Sequence, residues 1–503
     1  LAMQAGRVAR GGGAKAVNGG GQGRVWSTAS AISYHPESGP LGTLSNAQAP
    51  ALLASAFGRF SGIGTLSFVQ GGIFPADVNG NGVPASNSAH FLHLWRDEGD
   101  SLNPIIFDQD GSVIDSLFGG GARFDVLGVA TIESPLGRCS GGSNPGTNCL
   151  ESATCTGGGT CAAVTTILGG DVVINGLFYD GLGLPGSPPD LPSQLALEAV
   201  MVHEIGHFLN LDHSLVNHEL AGDGNLANDV YLPTMYPSLV DDEAALVTLN
   251  PDDLAALRTL YQSAPTASVA GVVRNPAGDP YQGADVVVRQ VGDPLMQAFS
   301  GISGATFFPC NPGSACNPCE AVCPGNPTAQ GAWGISFLPP GSYSVCVEQL
   351  DTRVSLANGS FIGPLADPSL LPGPEECLDA GESGNPADDP DEKQTVVAGT
   401  LSGLDLTLNA LPGPAGDLFE PNNTLANPTA LADLSRGKDT AAAYLASGDL
   451  DVFAIPLVPG QRVRIDLEAQ EMGSTLDPVI GFYNASNSLV TTVDDSIDPD
   501  SGA

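Results

Sequence analysis

His203-Glu204-Ile205-Gly206-His207-Phe208-Leu209-Asn210-Leu211-Asp212-His213 reads H-E-x-x-H-x-x-N-x-x-H, and the fold of the first half of the chain follows from it. Residues four apart share one face of a helix, so the imidazoles of His203 and His207 can reach one metal ion. Glu204 stands beside the first histidine, where its carboxylate can bond a metal-bound water and take its proton. His213 becomes a third ligand only if the chain leaves the helix and turns sharply. Asn210 stands at that turn, and after glycine, asparagine is the residue that best tolerates the left-handed conformation required there. Three imidazoles with one open position form the catalytic type of zinc site, whereas structural sites close all four positions. The expected ligands are His203, His207 and His213, with Glu204 as catalytic base.

The surroundings supply a framework. Leu195, Val200, Met201 and Val202 place the helix in a core, with Asp190 or Ser193 as its cap. Asp171–Asn175 reads as a strand just before it. Nearer the start, Val25 to Tyr34 has strand character. Leu52, Leu53, Ala56, Phe57 and Phe60 repeat at helical spacing after a capping Ser45, and Thr65–Val69 alternates as a strand. Downstream, Pro233-Thr234-Met235-Tyr236-Pro237 reads as a tight turn. Leu249-Asn250-Pro251-Asp252-Asp253 opens a last helix that ends in Leu260-Tyr261.

The histidine segment, the methionine turn and the closing helix together resemble the metzincin zinc metalloproteases, specifically a bacterial matrixin-like branch. Asn210 departs from the glycine common in that family, within what the turn tolerates. The resemblance implies that Met235 packs beneath the histidines without binding metal. It also implies that Asp171–Asn175 forms the upper rim of the cleft and pairs with substrate backbone. Tyr236 stands one residue short of the tyrosine that some branches add as a ligand, so it has no such role. Cys139, in Gly-Arg-Cys-Ser, does not match the family's latency peptide. The implied function is a secreted, extracellular zinc-dependent endopeptidase that acts on protein or peptide substrates. In it Zn²⁺ activates water and polarises the scissile carbonyl, while Glu204 moves the proton.

Length and composition agree with such a protein. The chain has 503 residues, a net charge of −38 and 42% hydrophobic content, so about three domains with real cores are expected. Its only lysines are Lys15, Lys393 and Lys438. So acidic a surface repels phosphates and argues against nucleic acid as a partner. No apolar run reaches the roughly 20 residues of a membrane span, and a monomer is expected. Ten cysteines fall in two loop-like groups: Cys139, Cys149, Cys155 and Cys161, then Cys310, Cys316, Cys319 and Cys323 with Cys346 and Cys377. Disulfides formed in an oxidising compartment are the reading, with pairings open.

Two acidic loops are candidate Ca²⁺ sites. Asp77, Asn79 and Asn81, with Gly82, match the first half of a calcium loop, although Ser88 occupies its closing position. Asp108, Asp110 and Asp115 lie in a Gly-rich setting that offers converging carboxylates. The alternative for the second loop is an ordinary Asp-Gly turn.

The expected fold is multidomain. A Gly-rich, disordered leader (1–24) precedes an α+β catalytic domain (25–263), built on a twisted mixed sheet plus the active-site helix and carrying a Cys-rich insertion (137–163). Two all-β sandwich domains follow. Gly271-Val272-Val273, Gly283-Ala284-Asp285-Val286 and Pro340-Gly341-Ser342-Tyr343 resemble a carboxypeptidase regulatory-like β-sandwich over 267–410. Asp417-Leu418-Phe419-Glu420-Pro421, then Gly448-Asp449-Leu450-Asp451, resemble a bacterial pre-peptidase C-terminal domain over 415–503, expected to be incomplete because its last strands are not found before Ala503. A different class of function is a catalytically weak or inactive adhesion protein that binds protein or carbohydrate through these modules.

Overall fold

The computed structural model describes residues 2–5, 25–73, 78, 102–133, 137–143, 148–149, 156–157, 160–162, 166–182, 191–211, 213–221, 225–239, 243–262, 265, 267–281, 283–304, 331–350, 373–374, 376–379, 381–382, 396–397, 399–409, 422–430, 441–442, 450–455, 457, 465 and 479–493. The chain folds as a mixed, β-rich structure with few helices. Its first part is built on a six-stranded sheet made of β1 (Ala2–Ala5), β2 (Ile32–Pro36), β3 (Phe68–Gln70), β4 (Pro104–Asp108), β5 (Val126–Glu133) and β6 (Gly169–Asn175). The spatial order is β1-β5-β6-β4-β2-β3. Every neighbouring pair is parallel except β5 with β6.

Alternation along the strands feeds two apolar layers. Ile105, Phe107, Val172 and Ile174 face a large core shared with α1 (Gln48–Phe60) and α3 (Gln194–Phe208). Ile106, Val129 and Val173 face a smaller core under α2 (Ser112–Phe118). Helix α1 buries Leu52, Leu53, Ala56, Phe57 and Phe60, as their spacing predicts. Its cap differs from expectation, since Ala47 is the N-cap residue and Ser45 instead bonds the Gln48 side chain. Ser193 does cap α3, accepting from the Ala196 N–H. Among the described residues no helix is long and apolar enough to cross a membrane.

Two expectations change here. Strand β6, expected to form the cleft rim, pairs on both sides and is buried along its whole length. A strand between two others has no free backbone edge, and its unbroken Val172-Val173-Ile174 run is the pattern of a central strand covered on both faces. The antiparallel strand beyond it, β5, runs beside α3 instead. The leader also contributes order where none was expected, because Ala2–Ala5 pairs in parallel with β5. Backbone hydrogen bonds make that pairing, and composition does not encode them. Residues 6–24 lie outside the described residues. Within the Cys-rich insertion, Gly137–Ser140 pairs with Asn148–Cys149 and with Thr160–Ala162, which places Cys139 opposite Cys161.

The described residues within 267–409 form two facing sheets around one core. One sheet holds β7 (Ser268–Arg274) between Ala332–Ser336 and Thr400–Ser402. The other holds β8 (Ala284–Gln290) between β9 (Ala298–Ile302) and β10 (Ser342–Leu350). Trp333, Ile335 and Val269 meet Val286, Val288, Phe299 and Val345 in the middle. Cys346 and Cys377 form a disulfide, and the other members of the second cysteine group (310–323) lie outside the described residues. Most of 415–503 also lies outside them. Its described portion includes a hairpin of Ile480–Tyr483 with Leu489–Val493.

Candidate metal centre

Helix α3 ends where the histidine spacing requires. Asn210 takes a left-handed conformation at φ 69°. The Asn210 N–H then reaches the His207 carbonyl at 2.8 Å, and the Leu211 N–H reaches the Gly206 carbonyl at 2.9 Å. These two bonds are the paired closure of a Schellman turn. The last carbonyls of the helix find side-chain donors. Trp26 Nε1 donates to Phe208 at 2.7 Å, and Tyr261 Oη donates to Leu209 at 3.0 Å. With the helix end fixed, the chain doubles back and delivers His213.

The turn gives a direct test. Asn210→Gly is expected to leave stability and metal affinity intact. Asn210→Val, a β-branched residue forced to positive φ, is expected to cost roughly 1–2 kcal/mol and to weaken metal binding. Urea melts and chelator competition on both variants measure this, and equal behaviour would refute the strained-turn account.

The three Nε2 atoms converge. His203 lies 3.0 Å from His213 and 3.0 Å from His207, and His207 lies 3.2 Å from His213. The other ring nitrogens explain the orientation. His203 Nδ1 donates to the Thr234 carbonyl at 2.9 Å, and His207 Nδ1 donates to the Leu211 carbonyl at 2.7 Å. A carbonyl only accepts, so Nδ1 carries the proton in both rings and each Nε2 presents a lone pair. Two such lone pairs 3.0 Å apart repel unless a cation lies against them. Burial lowers the pKa of His203 and His213 well below the usual imidazole range, with the neighbouring imidazoles adding to the effect. That keeps them in the neutral form that ligates. These three residues can hold a metal ion. They are the only group of three or more metal-type side chains among the described residues whose donor atoms lie within 4.8 Å of one another.

Glu204 stands on the next position of α3, fully buried. Neither of its carboxylate oxygens has a hydrogen-bond partner among the described residues. Desolvation raises its pKa well above the ordinary carboxylate range. Its side chain packs on β5 at Gly128, where a Cβ would come within 2.8 Å of Glu204 Cγ. Met235 packs against α3 at Gly206. A Cβ on Gly206 would meet its sulfur at 2.2 Å, so the H-E-x-x-H helix carries glycine at the point of closest approach. Sequence spacing did not single out either glycine.

After the short helix α4 (Glu243–Val247) comes α5 (Pro251–Tyr261), opened by a capping box of Asn250 and Asp253. Asp253 accepts from the Thr234 N–H at 2.8 Å, the Asn250 N–H at 3.0 Å and the Met235 N–H at 3.2 Å. The carbonyl of Thr234 is the one that holds His203. Burial, with the adjacent Asp252, pushes Asp253 up to about 7 against the pull of those three N–H groups. The Ser214 N–H donates to the Met235 carbonyl at 2.9 Å, tying the loop of His213 to the same turn.

The acidic-loop candidates fare differently. Asp77, Asn79 and Asn81 lie outside the described residues. Asp108, Asp110 and Asp115 do not assemble into a ligand set. Asp108 caps the Ile114 N–H at 2.9 Å, Asp110 accepts from the Ser112 N–H at 3.0 Å, and Asp115 pairs with Arg123 at 2.6 Å. Short carboxylates next to a helix start are drawn to its unpaired amides, and that is the work done here. No protein-family model matches the chain, and a search of curated proteins finds no significant match.

Proposed function

We propose that the chain is a secreted zinc endopeptidase of the matrixin-like kind that its histidine segment, methionine turn and closing helix resemble. The observation that carries this reading is the set of three buried Nε2 atoms 3.0–3.2 Å apart, beside a buried carboxylate without a partner among the described residues. Zinc fits the donor set. Its bonds to imidazole of about 2.0–2.1 Å place tetrahedral ligand nitrogens about 3.3–3.4 Å apart, close to the spacing found. His203, His207 and His213 would hold it and leave one position open. A bound zinc ion supplies Lewis acidity, lowering the pKa of water toward about 7 and polarising a carbonyl.

The protein's own groups do the rest. Glu204 takes the proton of the attacking water on its carboxylate and returns it to the leaving amine nitrogen. Burial raises its pKa above the ordinary carboxylate range, which makes the carboxylate a stronger acceptor of that proton. Carbonyls of Thr234 and Leu211 keep two of the imidazoles in the ligating tautomer. Asp253 and Met235 hold the floor beneath.

The test is casein or gelatin digestion by the purified chain, with and without a zinc chelator. Cleavage is expected, should be lost on chelation, and should return when Zn²⁺ is restored. Stoichiometric zinc on an intact fold, with no cleavage of either protein, would overturn the endopeptidase reading and leave a binding role for the β-modules.

A further inference from the structure

The loop that carries the third histidine is held from two sides. One side is the metal-binding domain itself. The other is the β-sandwich at 267–409, which touches the loop through buried polar groups. Asp252, on α5, accepts from Ser214 Oγ at 2.5 Å, and Ser214 directly follows His213. The same carboxylate accepts from the Ser300 N–H at 2.8 Å and from Ser300 Oγ at 2.9 Å. Ser300 lies on β9, within the sandwich. Asp252 Oδ2 thus accepts from both the loop of the third histidine and the neighbouring module, while Oδ1 accepts from the module.

A second tie lies three residues further along the loop. Asn217 is fully buried and left-handed, at φ 61°. Its amide donates to Tyr231 O at 2.8 Å and to Leu295 O at 2.9 Å, and its carbonyl oxygen accepts from Arg289 at 2.7 Å. Arg289 is itself locked by a two-pronged pair with Glu348 at 2.7 and 3.0 Å, joining β8 to β10. Between the two ties, Val216 packs on Val287 and Ala298. Ala255 of α5 enters the sandwich core. A module acting as a spacer would meet its neighbour through an exposed, wet contact. Here a buried ion pair and a shared carboxylate converge on the five residues that begin at His213.

We propose that the sandwich is a structural part of the metal centre: it positions His213, with Ser300 and Asp252 as positioning residues. Partners behind a metal ligand fix its orientation, and losing one typically weakens metal affinity about 10–100-fold. The inference rests on reading the three histidines as a metal site and does not depend on peptide hydrolysis.

The full chain decides it, as wild type, Asp252→Ala, Ser300→Ala and Ser300→Thr. Zinc affinity is read by competition with a chromophoric chelator, and ligand geometry by the visible spectrum of the Co²⁺-loaded protein. Folding is checked by thermal melts. About a 10-fold loss of affinity is expected for Ser300→Ala, and more for Asp252→Ala, each with an altered Co²⁺ spectrum. Ser300→Thr, which keeps the hydroxyl, should restore both. If Asp252→Ala fails to fold, Ser300→Ala and Ser300→Thr decide alone. Wild-type affinity and spectrum in a folded Ser300→Ala would overturn the proposal. A wild-type chain that binds no metal would overturn it together with the metal reading. Zinc bound by wild type without casein cleavage would sink only the peptidase reading.

Discussion

Glu204→Gln should lower kcat/KM for casein by about 10²–10⁴-fold while one zinc ion per chain is retained. The amide matches the carboxylate in shape, so the contact with Gly128 survives and α3 is undisturbed. It cannot accept a proton at any working pH, so only the transfer step is removed. Glu204 is fully buried, and the buried carboxylates Asp252 and Asp253 are engaged by Ser214, Ser300 and the methionine turn. A fluorogenic peptide assay beside metal analysis gives both numbers. Activity within tenfold of wild type, with zinc present, would mean that the proton leaves by another route and that Glu204 is not the base.

Local features of this site were readable from sequence and long-range ones were not. His203, His207 and His213 converge because helix periodicity and the tolerance of Asn210 for positive φ are written in neighbouring residues. Ser193 and Asn250 cap their helices for the same reason. The central place of Asp171–Asn175 is not legible in sequence, because edge and centre are decided by distant pairing. Val172, Val173 and Ile174 look alike in either position until β5 is known to lie beyond them. Asp108, Asp110 and Asp115 show why an acidic loop is ambiguous in sequence: a carboxylate in a Gly-rich loop suits a cation and a backbone amide equally, and only the fold shows that amides and Arg123 are near. Asp252 and Ser300 were illegible as a pair. They stand 48 residues apart, and neither has a periodic signature that points at the other.

Asp253→Ala should be among the most destabilising single changes in the chain. It strips the acceptor from the N–H groups of Thr234, Met235 and Asn250, all of them in buried residues. Each orphaned buried donor costs about 1–3 kcal/mol, which would add to about 3–9 kcal/mol; the three share one turn that relaxes together, so the expected cost lies at the low end, on the order of 3–5 kcal/mol. Metal affinity should fall with it, because Thr234 also supplies the carbonyl that orients His203. Asp253→Asn keeps one accepting oxygen and should fall between the two. Titration separates the variants further. Asp253 moves from 3.8 in the unfolded chain to about 7 in the fold. The folded state therefore holds a proton that the unfolded state has already lost. The wild type should lose stability relative to Asp253→Asn as pH rises from about 4 to about 7, and the difference should level off above that. Urea unfolding of the metal-free protein across that range measures the slope. A cost below about 1 kcal/mol for Asp253→Ala, or parallel pH curves for wild type and Asp253→Asn, would show that the turn beneath the histidines is held by packing around Met235 and not by this carboxylate.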